Sequence, residues 1–215
     1  MKINAEVIAR TALRLLDEVG LDGLTMRLVA KELDVKAPAL YWHVKNKQEL
    51  LDAMATLVMV EADEGLESPR LGVGWEEWLG DRAMRLRRTM LRHRDGARVV
   101  AGTNVSHPLV FRTIELTLRT LQDAGFSLAD AVRAVPTIFH YTVGFTIEEQ
   151  ARLGETYAEG ENPYSRERLA EMVDAGRYPL AAQMIDELLT PDTDAQFRHG
   201  LAAILTGVRV QRFGA

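Results

Sequence analysis

Apolar residues recur with the three-to-four-residue spacing of α-helices along nearly the whole chain, and no stretch alternates convincingly as a strand does. This periodicity predicts an all-α fold. The 215 residues include no cysteine, which excludes disulfides, thiolate metal sites and a cysteine nucleophile. No stretch approaches the roughly 18 apolar residues of a membrane span, and the first residues do not resemble a signal peptide. We therefore expect a cytoplasmic protein with no membrane partner.

Capping residues predict where the first helices begin. Asn4 caps a helix that ends at Gly20, Thr25 caps a short helix, and Asn46 caps a long one, because Asn and Thr side chains accept from free backbone N–H groups. The expected helices cover 4–19, 26–33, 37–43, 47–64, 75–92, 95–101, 108–124, 127–151, 165–175, 180–189 and about 193–212. The polar segment 152–164 is expected to be a mobile loop.

The segment 65–74 contains a proline and several glycines and is the clearest break in the helical pattern. It divides the chain into three parts: a head of residues 1–46, a connecting helix over 47–64, and a larger body over 65–215. Residues 1–50 hold 8 Lys and Arg against 7 Asp and Glu, whereas residues 51–215 hold 18 against 24. An acidic body does not exclude DNA binding, because phosphate neutralisation is local.

Two helices of the head, each too short to be stable alone, meet at a tight turn around Asp34 and Val35. Pro38 suits the first turn of the second helix. The outer face of this helix is small at its start and aromatic at its end: Lys36, Ala37, Ala39, Tyr41, Trp42 and His43. Small residues permit close approach to base edges, and polar tips reach phosphates, so this face suits the major groove. The alternative is a three-helix scaffold whose aromatic residues form its core.

Two later helices carry long apolar stripes. The last helix has Phe197, Leu201, Ile204, Leu205 and Val208 in helical register, and helix 127–151 has Leu128, Val132, Val135, Phe139 and Val143. Two such helices from each subunit can form a four-helix interface between identical subunits. Periodicity alone equally allows both stripes to lie in the core of one chain.

The run from Thr25 to Lys47, continuing through Gln48-Glu49-Leu50-Leu51-Asp52-Ala53, resembles the DNA-binding head of the tetracycline-repressor (tetR) family. Looser similarity follows through Arg94-Asp95-Gly96-Ala97 and Gly125-Phe126-Ser127-Leu128, and it is greatest to the tetracycline repressors themselves. The resemblance implies an N-terminal helix-turn-helix DNA-binding domain and a larger helical ligand-binding and dimerisation domain. It also favours the dimer interpretation of Leu128, Val132, Phe197, Leu201, Ile204, Leu205 and Val208.

The resemblance implies specific DNA-contacting positions in the head. They fall on Thr25, Arg27, Lys36, Ala37, Pro38, Ala39, Tyr41, Trp42, His43 and Lys47. Ala37 and Ala39 stand where tetracycline repressors have longer polar side chains, so we expect a different operator sequence.

The resemblance also implies an effector cavity in the body. Its expected apolar lining is Met59, Leu86, Val100, Ile114, Leu118, Val132, Val135 and Phe139, and its expected polar groups are Asp63, Arg82, Thr103, Thr117 and Glu148. Val100 replaces the histidine that ligates magnesium in the tetracycline-binding relatives. We therefore expect no metal and no cofactor, and an effector other than tetracycline–Mg²⁺. Arg82 faces an acidic ligand, pairs internally with Glu148 or lies on a solvated helix face.

The sequence thus predicts a homodimeric repressor that binds a palindromic operator in double-stranded DNA and is released by a small-molecule effector. The alternative is a ligand-independent regulator or an activator with the same fold. An enzyme is disfavoured, because no metalloprotease, phosphate-binding, dinucleotide-binding or nucleophile-elbow motif occurs.

Overall fold

The computed structural model describes residues 3–69, 71–153, 162–189 and 192–213, and every regular element in those ranges is a helix. The helices are α1 (Ala5–Gly23), α2 (Met26–Glu32), α3 (Ala37–Leu40), α4 (Lys47–Asp63), α5 (Trp75–Leu91), α6 (Gly96–Val100), α7 (Pro108–Asp123), α8 (Leu128–Leu153), α9 (Arg166–Met172), α10 (Pro179–Leu188) and α11 (Thr193–Phe213). The predicted all-α class is confirmed. None of these helices is both long and apolar enough to cross a bilayer. The loop predicted over 152–164 lies largely outside the described residues, since α8 continues to Leu153 and 154–161 are not described.

The three predicted caps of the head are confirmed. The Asn4 side chain accepts a hydrogen bond from the Val7 amide at 2.8 Å, and the Asn46 side chain accepts one from the Glu49 amide at 2.9 Å. Thr25 does the same for α2. Each cap satisfies an N–H group that has no carbonyl partner within its own helix. The start of α4 is thereby fixed directly after the turn that follows α3.

Of two predicted helix ends in the head, one is confirmed and one is wrong. The helical geometry of α1 breaks at Gly20, as predicted: that residue adopts a φ of 69°, and a short further turn follows as far as Gly23. Glycine tolerates this left-handed conformation because it has no Cβ. The third helix ends at Leu40 instead of His43, because the His43 amide bonds to the Leu40 carbonyl in a tighter turn. That turn returns Val44 to the core, where it is buried.

The head and the body share one apolar cluster. It begins with Ile8 and Leu16 on α1, continues through Met54 and Val58 on α4, and reaches Met90 at the end of α5. The helix predicted as a connector is therefore part of a continuous core, with α1 on one side and α5, α6 and α7 on the other. α4 thus packs against both the head and the body.

A second cluster lies deeper in the body, where α5, α8 and α11 pack on one another. Its centre is Phe197 of α11, which is fully buried against Tyr141 and Phe145 of α8. α7 packs against α8 on the other side. A cavity opens between α5 and α8, at the boundary between the two clusters.

Candidate nucleic-acid interface and effector cavity

The recognition surface is the outer face of the head formed by α3, the turn after it and the start of α4. Trp42 is 88% exposed and Tyr41 is 47% exposed. Of the ten positions predicted to contact DNA, eight are exposed and two, Ala37 and Ala39, are partly buried. The hypothesis that the aromatic residues form the core of a three-helix scaffold is wrong, because Leu40 and Val44 are the buried residues of this segment.

Cations border the aromatic residues of the recognition surface. Lys36 is exposed just before α3, and Lys47 is exposed at the first residue of α4. The Lys47 ammonium donates to the Leu21 carbonyl at 3.3 Å, which places its charge beside the end of α1. Arg27 is exposed on the first turn of α2. Thr25 is used as the cap of α2, so its hydroxyl already has a partner.

The cavity between α5 and α8 contains only about 30 Å³ of free space. Four predicted residues line it, namely Arg82, Leu86, Val135 and Phe139. Sequence reasoning missed four more, at positions one helical turn away from these: Leu79, Ala83, Ile138 and Thr142. Their i, i+3 and i, i+4 spacing from the predicted residues was the signal that could have found them. A drug-sized molecule needs roughly 300 Å³ or more, so it can enter only if α5 and α8 move apart.

Val100, in the position of the expected metal-ligating histidine, is buried in the same apolar cluster as Met59, Leu86 and Phe139. A valine side chain has no lone pair to offer a metal. Thr103, the nearest predicted polar residue, donates its hydroxyl to the Val100 carbonyl at 2.8 Å. This set of side chains does not fit a magnesium-accompanied ligand.

The polar end of the cavity is an ion pair. Arg82 of α5 lines the cavity, and its Nε lies 3.5 Å from Oδ1 of Asp63, the last residue of α4. The side chain of Asp63 is 3% exposed and that of Arg82 is 20% exposed. Burial raises the pKa of Asp63 above its usual range, and the nearby Arg82 charge opposes that shift. The predicted internal pair of Arg82 with Glu148 is therefore wrong, because its partner is Asp63.

Two family patterns match this chain. The pattern of the bacterial regulatory proteins, tetR family, matches residues 8–54. The pattern of the tetracyclin repressor-like C-terminal domain matches residues 68–212. The chain belongs to the tetR family. The predicted resemblance is thus confirmed across both the head and the body.

Individual relatives agree with the tetR-family assignment. The chain is 41% identical over 211 residues to the tetracycline repressor protein class A from transposon 1721 of Escherichia coli, with 98% of this chain and 93% of the relative covered. A crystal structure of a possible TetR family transcriptional regulator from Streptomyces coelicolor A3(2) is 41% identical, covers 97% of this chain and 100% of its own, and superposes with a TM-score of 0.84. BioQ from Mycobacterium smegmatis, solved with its double-stranded DNA operator, is 29% identical with a TM-score of 0.67 and covers 96% and 98%.

Several residues predicted to line the effector cavity of this tetR-family chain lie elsewhere. Glu148 is exposed, whereas the next residue of α8, Glu149, is buried. Ile114 and Val132 are also exposed, on outer faces of α7 and α8. Thr117 is buried but donates to the Thr113 carbonyl of its own helix, and Leu118 packs in the second cluster.

The predicted dimer stripe on α11 is partly wrong. Phe197, Leu201 and Leu205 are buried within the chain, at 8% exposure or less, because they pack against α5 and α8. Ile204 and Val208 are partly buried beside a groove between α8 and α11. Leu128 and Val132 of α8 are 54% and 51% exposed. The intramolecular interpretation therefore holds for the centre of the stripe, and only its margins remain accessible.

A buried ion network that sequence reasoning missed holds α5, α8 and α11 together. The Arg87 guanidinium, 1% exposed, donates to Glu149 at 2.5 and 2.7 Å and to Asp194 at 2.6 Å. Glu149 is 2% exposed. The rings of Phe145 and Phe197 flank the guanidinium at 5.7 and 5.2 Å. This network attaches the start of α11 to the two helices that form the cavity.

The end of α1 contacts the α5–α6 turn through backbone groups. The Leu21 amide donates to Asp95 Oδ2 at 2.8 Å, and the Arg94 amide donates to Asp17 at 3.0 Å. Gln150 of α8 joins the other side of the same turn: it donates to the His93 carbonyl at 2.7 Å and accepts from the Ala97 amide at 3.0 Å. The turn is thus hydrogen-bonded both to the head and to α8.

Proposed function

We propose that this chain is a ligand-responsive transcriptional repressor that binds a palindromic operator as a homodimer and is released by a small-molecule effector. The observation that carries the proposal is Trp42, 88% exposed beside an exposed Tyr41 on a well-packed head. A surface that leaves two large aromatic side chains in water is usually one that a partner covers. Relatives named as repressors, and BioQ with its operator, support DNA as that partner.

Each head presents α3 to the major groove. Ala37 and Ala39 permit close approach to base edges, while Tyr41, Lys36 and Lys47 reach phosphates. A head with one short recognition helix supplies little affinity alone. Two heads, spaced about 34–36 Å apart on one face of the duplex, supply the rest.

The second subunit packs on the accessible margins of α8 and α11. Leu128 and Val132 are exposed one turn apart on α8, and Ile204 and Val208 are partly buried on α11. An identical face on the partner completes a four-helix interface with the two-fold symmetry that a palindrome requires.

The effector enters between α5 and α8 and alters the spacing of the heads. α4 begins with Lys47 at the DNA and ends with Asp63 at the cavity, so a single rigid rod of about 24 Å joins the two sites. The turn held by Gln150 and Asp95 offers a second path from α8 to α1. An effector that binds roughly 10⁴-fold more tightly to the conformation whose head spacing does not fit the operator shifts almost all of the protein from the repressing conformation to that one.

The decisive experiment uses fluorescence anisotropy with a duplex from the intergenic region beside the chain's own gene. We expect the wild type to bind it more tightly than a scrambled duplex, with an affinity that falls steeply as salt rises. Trp42→Ala should weaken binding by about 1–3 kcal/mol, whereas Leu71→Ala, at an equally exposed residue of the body, should not. Equal affinity for the two duplexes, or no effect of Trp42→Ala, would refute the proposed function.

A further inference from the structure

Lysine and arginine are distributed differently along this chain. It has five lysines and 21 arginines, and the lysines all lie within the first 47 residues: Lys2, Lys31, Lys36, Lys45 and Lys47. Residues 48–215 contain 18 arginines and no lysine. Every side-chain amine of the chain is therefore in the head or at the first residue of α4. Lys2 lies outside the described residues, and the other four lysines are exposed.

Many arginines of the body have partners within the chain. Arg87 pairs with a buried carboxylate, and Arg92 and Arg98 pair with carboxylates nearer the surface. Arg119 pairs with a glutamate one turn away on its own helix. The planar guanidinium suits this task, because its fork of donors fits the two oxygens of a carboxylate.

The lysines of the recognition surface are much less constrained. Lys36 has no hydrogen-bond or ion-pair partner among the residues that the structure describes. The Lys45 ammonium lies 3.5 Å from Glu49 Oε1, too far for a good hydrogen bond, and its side chain is 82% exposed. Lys47 donates to the Leu21 carbonyl at 3.3 Å. These amines are thus accessible to a reagent in solution.

An arginine at each of these positions would present the same charge to a phosphate, but it could not be acylated as an amine can. Acylation of a lysine converts its amine into an amide and removes its positive charge. In this chain such a reaction changes no side chain of the body, because the body has no lysine. Its effect on side-chain charge is confined to the part of the chain that faces DNA in the proposed function.

We propose that Lys36, Lys45 and Lys47 form an N-acylation site that switches off DNA binding, with an acyl phosphate or an acyl thioester as the donor. The unprotonated amine attacks the carbonyl carbon of the donor and a C–N bond forms. The C–O or C–S bond to the leaving group breaks, phosphate or thiol departs, and the amine proton passes to water. This regulation rests on the proposed function, in which the same surface binds the operator.

Glu49 increases the effect of acylation at Lys45. Its Oε2 accepts a hydrogen bond from the Lys45 backbone amide at 2.7 Å, so the carboxylate is held in place independently of the Lys45 ammonium. Acylation therefore turns a neutral pair into a net negative charge on the first turn of α4. A negative charge at this position repels a phosphate strand.

The site is tested by treating the full-length protein with acetyl phosphate and, in parallel, with acetyl-CoA, and by locating the acetyl groups with mass spectrometry. We expect Lys36 and Lys45 to react before Lys47, whose ammonium is hydrogen-bonded. Reaction with only one of the two reagents identifies the donor class. No acetylation by either reagent, or Lys47 reacting first, would overturn the inference.

Fluorescence anisotropy with the promoter duplex measures the consequence for DNA binding. Acetylation should weaken binding by about tenfold or more near about 0.1 M salt, because each lost phosphate contact releases roughly one counterion fewer. The triple variant Lys36→Arg, Lys45→Arg, Lys47→Arg keeps its charges and has no amine at these positions. Its affinity should be the same before and after treatment. Lys31→Arg, changed on the last turn of α2, should remain as sensitive as the wild type.

The urea denaturation midpoint should be the same for treated and untreated protein. A lower midpoint after treatment would show that unfolding weakens binding, and the inference would fail. It would also fail if the triple variant lost affinity on treatment or if the acetylated wild type bound as tightly as before. An untreated protein that does not bind the duplex refutes the proposed function, and the positions of the acetyl groups then still decide whether these lysines form the acylation site.

Discussion

The backbone amide of Leu21 in the head donates a hydrogen bond to the Asp95 carboxylate in the body, across 2.8 Å. Asp95 reaches this position with a left-handed backbone, at a φ of 58°, and Gly20 lies directly against its side chain. Arg98 pairs with the other oxygen at 3.0 Å. A partly buried contact between backbone and carboxylate thus fixes the end of α1 on the turn before α6.

Replacing Asp95 with alanine should weaken the attachment of the head to the body. Alanine has no acceptor for the Leu21 amide and tolerates a left-handed backbone poorly, so we expect a loss of about 2–3 kcal/mol in the free energy of unfolding. Urea denaturation measures it. Asp95→Asn should cost less, because asparagine accepts the same bond and tolerates the same backbone. Asp22→Ala, which removes only a side chain 87% exposed in its pair with Arg98, should cost at most about 1 kcal/mol. Equal losses of unfolding free energy for Asp95→Ala and Asp22→Ala would show that the Leu21–Asp95 hydrogen bond does not stabilise the fold more than an exposed ion pair does.

Removing Arg87 should destabilise the body strongly. Arg87→Met leaves the Glu149 carboxylate buried without a partner, which costs about 3–5 kcal/mol. The double variant Arg87→Met with Glu149→Met should recover most of this loss, because no charge then remains buried. The matched control is Arg88→Met, since Arg88 also pairs with Asp194 but is 57% exposed. Urea denaturation of the four proteins gives the comparison. A double variant no more stable than Arg87→Met would argue against this account.

Asp194 should make the attachment of α11 dependent on pH. The hydrogen bond from Arg87 is the main cause that lowers the Asp194 pKa below its usual 3.8, and Arg88 contributes less. A carboxyl group whose pKa is lower in the folded state stabilises the fold above its unfolded pKa, and this contribution is lost as the pH falls through the folded value. The thermal midpoint of Asp194→Asn should therefore lie below that of the wild type at about pH 7, and the two should converge as the pH falls below the folded pKa of Asp194. A difference in thermal midpoint that stays constant with pH would contradict a stabilising role of the ionised Asp194 carboxylate.

Local signals in the sequence predict much of the fold, because caps depend on a few neighbouring atoms. Asn4, Thr25 and Asn46 begin their helices as expected. The end of α3 was not predictable in the same way. There the His43 amide bonds only three residues back, to the Leu40 carbonyl, and Val44 is buried in a cluster with residues distant in sequence.

The stripe that includes Phe197 shows a second limit. Helical spacing identifies an apolar face, but it does not tell whether the same chain or a partner covers that face. Asp63 and Arg87 show a third limit of prediction from sequence. Charged residues in a helix suggest a solvated surface, and only the positions of the facing helices show that these two are buried. The exposed recognition surface was easier to predict, because it depends on residues that are close in sequence.

Val132 tests the proposed dimer. It is half exposed on α8, one turn after Leu128, on the face where we place the partner subunit. A glutamate at this position would be desolvated in the interface without a counter-charge, so Val132→Glu should weaken the dimer by about 2–4 kcal/mol and reduce operator affinity with it. Sedimentation equilibrium measures the dissociation constant of the dimer. Leu71→Glu introduces the same charge at a fully exposed residue between α4 and α5, and its dimer should match the wild type. The interface lies elsewhere if Val132→Glu dimerises as tightly as Leu71→Glu, and a wild type that stays monomeric at the concentrations where it binds DNA would contradict the dimer itself.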